Sequence, residues 1–199
     1  MIGIVDYGAG NLKSVRKAFA FLGFESAVLE SPAGLSGADR LVLPGVGSFG
    51  FAMDRLRESG LAEALDGWLR SGRPLLGICL GMQLLTEGSE ESPGVPGFGV
   101  FGGTCRRYRA GRVPQIGWNS LSPRRPDPLL TGVEDGANFY FANSFYPGPE
   151  AGADTLAVSD YHGEFPAVLG RGNIRGTQFH PEKSGRPGLR LLKNWVESC

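Results

Sequence analysis

Cys79 is the residue of this chain best suited to covalent chemistry. It stands in Gly77-Ile78-Cys79-Leu80-Gly81, where an apolar run over 75–78 gives way to a helical pattern opening at Leu80. A reactive side chain between a strand end and a helix start, with a glycine two positions away on each side, is the cysteine form of the G-x-nucleophile-x-G elbow. The glycines allow a tight turn and close backbone packing. The start of a helix carries partial positive charge, which favours a thiolate. The Leu80 N–H can then point at the oxygen of a carbonyl that the sulfur attacks. A buried cysteine at a glycine-flanked strand end would carry the same pattern without chemistry.

The second element is His180-Pro181-Glu182, after the strand-like Thr177-Gln178-Phe179. A nucleophilic thiol needs a base to take its proton and later deliver it to the leaving amine. That base in turn needs an acceptor to fix its tautomer and ring orientation. Pro181 disfavours helix at His180, and in extended chain residues i and i+2 project to one side. Glu182 is thereby expected to reach the imidazole. The competing reading is a strand-end histidine beside a surface glutamate.

The third is Pro44-Gly45-Val46-Gly47, beyond the apolar run 41–43. Backbone N–H groups at the C-terminal edge of a parallel sheet can face a ligand. Val46 or a neighbour could supply the second oxyanion donor beside Leu80. An ordinary strand-to-helix turn is the alternative.

These residues need a scaffold, and the chain has material for one. Its 199 residues, 41% apolar, suffice for a single domain over 1–199 with one sizeable core. Twenty basic and twenty acidic side chains balance, which gives no electrostatic reason to expect nucleic acid or an acidic membrane as partner. The three cysteines, Cys79, Cys105 and Cys199, are scattered and form no CxxC, which argues for a reducing compartment rather than a disulfide framework. His162 and His180 are the only histidines, and no zinc-type spacing joins them to cysteines, so no metal is expected. With neither a signal-like N-terminus nor a membrane-length apolar run, a cytoplasmic protein is expected.

Residues 2–5, 27–29, 41–43 and 75–78 read as buried strands. Helical patterns lie between them: Leu12, Val15, Phe19 and Leu22 up to Gly23, then two pieces between 49 and 69 parted near Gly60, then 80–85. Such alternation implies βαβ units and a parallel sheet covered on both faces. Later, 103–109, 113–118, 137–143, 155–160, 166–170 and 174–179 look like short strands forming an antiparallel extension of the same sheet. A last helix over 189–197 closes the chain. The fold class is α/β, a mixed, mostly parallel central sheet flanked by helices. The Gly- and Pro-rich segment 88–99 reads as the most flexible, and Arg124, Arg125 and Asp127 as exposed in a proline-rich turn. Arg106, Arg107 and Arg109 read as a solvated strand face, His162 as a turn residue, Cys105 as a strand cysteine and Cys199 as a terminal one.

IVDYGAGNLKSV, PGVGSF, GICLGMQLL, VPQIGWN, FYFANSF and GTQFHPEKS together resemble the triad (class I) glutamine amidotransferases, which have a flavodoxin-like fold. Within that family the closer resemblance is to the glutaminase subunits of imidazole glycerol phosphate synthase, in histidine biosynthesis. It implies that Cys79 attacks the side-chain amide of L-glutamine, releasing ammonia, with His180 and Glu182 completing the triad and no cofactor. It implies an oxyanion hole at Val46 and Leu80, glutamine binding by Gly47, Gln83, Glu91 and Ser144, and a partner interface at Asn11, Trp118 and Lys183. The implied partner is a (β/α)8-barrel cyclase that receives the ammonia through a sheltered channel, in a heterodimer. The tail after Glu182 is too short for a synthase domain, so the ammonia is expected to go to a second chain. Asn143 and Gln115 stand where relatives often carry histidine, and Phe145 where tyrosine is common. A glutaminase subunit of another amidotransferase, a stand-alone cysteine hydrolase of related fold and a non-enzymatic regulatory subunit are the rival readings.

Overall fold

The computed structural model describes residues 1–198; Cys199 and the Pro149 side chain lie outside the described residues. In chain order the first half runs β1 (Ile2–Val5), α1 (Leu12–Phe21), β2 (Ser26–Leu29), α2 (Pro32–Leu35), β3 (Arg40–Gly45), α3 (Phe49–Glu58), α4 (Leu61–Arg70), β4 (Leu75–Cys79) and α5 (Leu80–Leu84). The second half runs β5 (Gly88–Ser89), β6 (Thr104–Arg107), β7 (Gln115–Ser120), β8 (Ser122–Pro123), β9 (Asn138–Asn143), β10 (Phe145–Tyr146), β11 (Thr155–Asp160), β12 (Glu164–Arg171), β13 (Ile174–Thr177) and α6 (Gly185–Ser198).

The central sheet has the order β2-β1-β3-β4-β13-β12-β11-β8. Its first five members are parallel, and β12, β11 and β8 extend it antiparallel. The apolar strands bury both faces because successive side chains point opposite ways. Ile2, Ile4, Val42, Leu76 and Ile78 meet Val15 and Phe19 of α1 and Leu191, Leu192 and Trp195 of α6. Leu41, Leu43 and Leu75 meet Phe49, Met53 and Leu56 of α3 and Leu61, Leu65 and Trp68 of α4. Local chemistry sets the helix ends. The Asn11 side chain accepts from Ser14 N to cap α1, and Gly60, in a left-handed conformation, parts α3 from α4. Among the described residues, no helix is long and apolar enough to cross a membrane.

The sheet-extension reading holds for β11 and β12 and needs correction elsewhere. β13 pairs parallel with β4, and β7 with β9 forms a separate antiparallel ribbon. β10, β6 and β5 form a third small sheet. Alternating burial tells which face of a strand is covered, not which strand lies beside it. The last helix begins at Gly185, earlier than its apolar pattern suggested.

Two further expectations are overturned. Segment 88–99 is anchored: Phe49 N donates to Glu91 Oε2 (2.7 Å), Gly50 N to Ser92 Oγ (2.9 Å), and Gly97 N and Phe98 N to the carbonyls of Glu87 and Leu84. Its composition suits a free loop, but the orphan N–H groups at the start of α3 give it partners. Asp127 is not exposed; its side chain and that of Arg175 are each 10% accessible and form a bidentate pair (2.9 and 3.0 Å). Asp127 also accepts from Leu129 N to cap a 3-10 turn.

Candidate active site

The elbow exists because two positions admit no side chain. A Cβ on Gly81 would overlap the Leu43 carbonyl, and one on Gly77 would stand 2.8 Å from the Gly81 carbonyl and Met82 N. With both as glycine, β4 turns directly into α5. Cys79 at the corner is held at φ 56°, ψ −110°, a conformation costly for a side chain and common where function demands it. The α5 helix is only five residues long, so its influence on the sulfur comes from first-turn N–H groups rather than a long macrodipole.

Strand neighbours bring the other segments to that corner. β3 lies beside β4 with Gly45 opposite Cys79, so Val46 and Gly47 emerge next to the sulfur. β13 lies on the other side with Thr177 opposite Ile78, which carries Gln178 and His180 to the same edge. Residues a hundred positions apart meet because β3, β4 and β13 are adjacent parallel strands, and crevices outside the carboxyl ends of such strands are where ligands bind.

His180 is extended (φ −97°, ψ 95°) and 3% accessible. Its backbone N donates to Tyr140 O (2.9 Å), while Ser184 Oγ donates to its carbonyl (2.6 Å). Nδ1 lies 2.9 Å from Glu182 Oε1. The expected His180–Glu182 contact is present, though by a different route: Glu182 sits in a 3-10 turn over Pro181–Lys183 rather than in extended chain. Burial opposes protonation of the imidazole. Hydrogen bonds with Cys79 and Glu182 and the charges of both outweigh it and push His180 up to about 10.

Beside the sulfur is a cavity of about 150 Å³ lined by Val46, Gly47, Cys79, Leu80, Gln83, Glu91 and Ser144, together with Pro114, Ala142, Asn143 and Phe145. The oxyanion and glutamine-binding candidates therefore share one wall system with the thiol. The volume is below the ~300 Å³ lower end of drug-sized sites and suits an occupant as small as an amino acid. His180 and Glu182 are not among the lining residues. Tyr108 bridges Gln115 and Asn143: its hydroxyl donates to Gln115 Oε1 (2.9 Å) and accepts from Asn143 Nδ2 (3.1 Å). Burial, with Cys79 among the smaller causes, raises the Tyr108 phenol above its ordinary range.

The interface candidates sit on three elements. Trp118 of β7 is 59% exposed and packs edge-on against Tyr140, directly opposite it on β9. Lys183 Nζ lies 5.6 Å from the same ring. Asn11 caps α1, which packs on the turn bearing Lys183. Exposed Ile116 and Val46 add apolar surface. His162 is an exposed turn residue with φ 55°, and Cys105 is buried on β6.

Two residues beside Cys79 were missed from sequence. The Tyr7 hydroxyl is buried with no hydrogen-bond partner, and burial, then the Cys79 charge, pushes its pKa up. Gln178, fully buried, places Nε2 3.8 Å from Cys79 Sγ. The i, i+2 rule applied to Glu182 would have found Gln178 if run in the other direction from His180.

A family profile described as Glutamine amidotransferase class-I matches residues 3–199. A protein named imidazole glycerol phosphate synthase subunit HisH from Thermococcus kodakarensis is 48% identical over 200 residues, covering 98% of each chain. Its namesake from Symbiobacterium thermophilum is 49% identical, covering 98% of this chain and 92% of its own. Among solved structures, PurLQS from Thermotoga maritima superposes with TM-score 0.79 at 20% identity over 98% of this chain and 96% of that one, a likeness of fold alone. The elbow, the cavity and the full-length match agree, and the chain belongs to the class I glutamine amidotransferase family.

Proposed function

We propose that this chain is the glutaminase subunit of imidazole glycerol phosphate synthase, hydrolysing L-glutamine with a Cys79-His180-Glu182 triad. One observation carries the chemical reading: Cys79 stands at the wall of a small cavity, and His180, raised in part by its interaction with Cys79, has Nδ1 2.9 Å from Glu182 Oε1. Full-length similarity to two proteins named as that subunit supports the pathway.

In the first half-reaction the glutamine side-chain amide enters the cavity. Cys79 Sγ bonds to the amide carbon while the proton of the pair resides on His180. The carbonyl oxygen becomes an oxyanion facing the N–H groups of Leu80 and Val46. Collapse of this intermediate breaks the C–N bond, and His180 returns the proton to the nitrogen, which leaves as ammonia. A γ-glutamyl thioester remains on Cys79. In the second half-reaction His180 takes a proton from water, whose oxygen attacks the thioester carbon. Glutamate leaves and the sulfur is freed with the proton of the pair again on His180. Glu182 keeps the ring oriented and stabilises the imidazolium. Gln83, Glu91, Ser144 and Gly47 hold the amino-acid portion.

Ammonia is mostly protonated, and so a poor nucleophile, in neutral bulk water. Direct transfer to an acceptor site is therefore the use that fits this chemistry. The acceptor is a (β/α)8-barrel cyclase that makes imidazole glycerol phosphate and an aminoimidazole carboxamide ribonucleotide. It docks in the cytoplasm as a heterodimer over Trp118, Lys183 and Asn11. Acid quenching during turnover followed by peptide mass mapping tests the chemistry. A γ-glutamyl adduct is expected on the peptide bearing Cys79; an adduct confined to another residue would contradict it.

A further inference from the structure

The carbonyl of Phe145 fixes the orientation of two buried amides in series. It can only accept, and it lies 2.7 Å from one end of the Gln83 amide, so that end is Nε2. The same Nε2 lies 3.0 Å from the Gln178 amide, and two donors would repel there, so Gln178 presents Oε1 to Gln83. Its Nε2 must then face Cys79 Sγ, at 3.8 Å. Gln83 has spent both amide protons, which leaves its Oε1 as the atom free to accept from an occupant of the cavity it lines. Gln178 is fully buried, so water does not compete for its N–H.

From this geometry we infer that Gln178 is a positioning residue that donates to the Cys79 sulfur, favours its thiolate form, and links it through Gln83 to the glutamine-binding wall. The inference rests on Cys79 being the nucleophile. The sulfur also lies 4.0 Å from the Ala142 carbonyl, which can only accept, so Gln178 is the donor of the two. Glutamate in place of Gln178 would turn a carboxylate oxygen toward the sulfur. Methionine would keep the length and remove the donor.

The test is the rate of Cys79 alkylation by iodoacetamide from pH 5 to 10 in the full chain and in Gln178→Met and Gln178→Glu, read by peptide mass mapping. Circular dichroism checks folding, and the methionine variant stands alone if the buried carboxylate prevents it. The alkylation midpoint is expected to rise by about one pH unit, which slows the reaction about tenfold below the midpoint. In the complex with its cyclase, kcat for glutamine is expected to fall severalfold with KM little changed. A merely structural role would leave the midpoint in place. If wild-type Cys79 is alkylated no faster than buried Cys105, the nucleophile assignment falls and this inference with it. If Cys79 is reactive but both variants keep its midpoint, only the role of Gln178 is overturned.

Discussion

At the scale of the residue, the site is a chain of hydrogen bonds around one sulfur. Glu182 is the outermost link: its Oε1 lies 2.9 Å from His180 Nδ1, and in the proposed mechanism that contact leaves the other ring nitrogen for the thiol. Gln in place of Glu182 can present an N–H instead of a second acceptor and admit the wrong tautomer. The variant is expected to lose about two to four orders of magnitude in kcat with little change in fold, measurable as glutamate release in the complex. The imidazole also ties stability to pH. His180 is raised in the folded chain, so its contribution is complete below the ordinary histidine value of about 6.5. It fades as pH climbs toward about 10. The difference in melting temperature between wild type and His180→Gln should therefore narrow from pH 6 to pH 10; a constant difference would mean the ring is not held as an imidazolium. Cys79, His180 and Glu182 were legible in sequence because each sits in a short motif with its own geometric reason. Gln178 was not read, because its i, i+2 relation to His180 gives a side and no contact with the sulfur until β13 is placed beside β4.

At the scale of the element, the elbow is a packing problem solved by glycine. A methyl group on Gly81 meets the Leu43 carbonyl, which belongs to a central strand and has no room to retreat. Gly81→Ala is expected to cost more than about 3 kcal/mol, the upper range for overpacking, as a fall in denaturant midpoint. A second case is a buried ion pair. Asp127 and Arg175 are paired, and removing one partner leaves a buried charge. Asp127→Ala should cost about 3–5 kcal/mol, and replacing both with apolar residues should recover part of it. The four parallel strands of the first half of the chain, β1 to β4, were legible because buried strands and helical faces alternate with clear stops, as at Gly23 and Gly60. The β7–β9 ribbon was not, because its residues alternate as an added edge strand would, and only tertiary pairing separates the two cases. Asp127 escaped for the same reason: its partner is 48 residues away on β13.

At the scale of the whole molecule, the strand ends that build the site share a face with exposed apolar surface. Trp118 and Ile116 project from β7, and Val46 from the segment next to Cys79. An exposed tryptophan packed edge-on against Tyr140, itself close to Lys183, fits a hot spot for a partner. Trp118→Ala is expected to weaken cyclase binding by about 2 kcal/mol, roughly 30-fold in Kd, in a titration by calorimetry. Unaltered affinity would move the interface elsewhere. The central claim is that this chain makes ammonia at Cys79 for another protein to use. Its most direct test compares nitrogen sources in the complex rebuilt with Cys79→Ala. Glutamine-dependent product should vanish while synthesis from added ammonium salt continues at the wild-type rate; continued synthesis from glutamine would contradict the account.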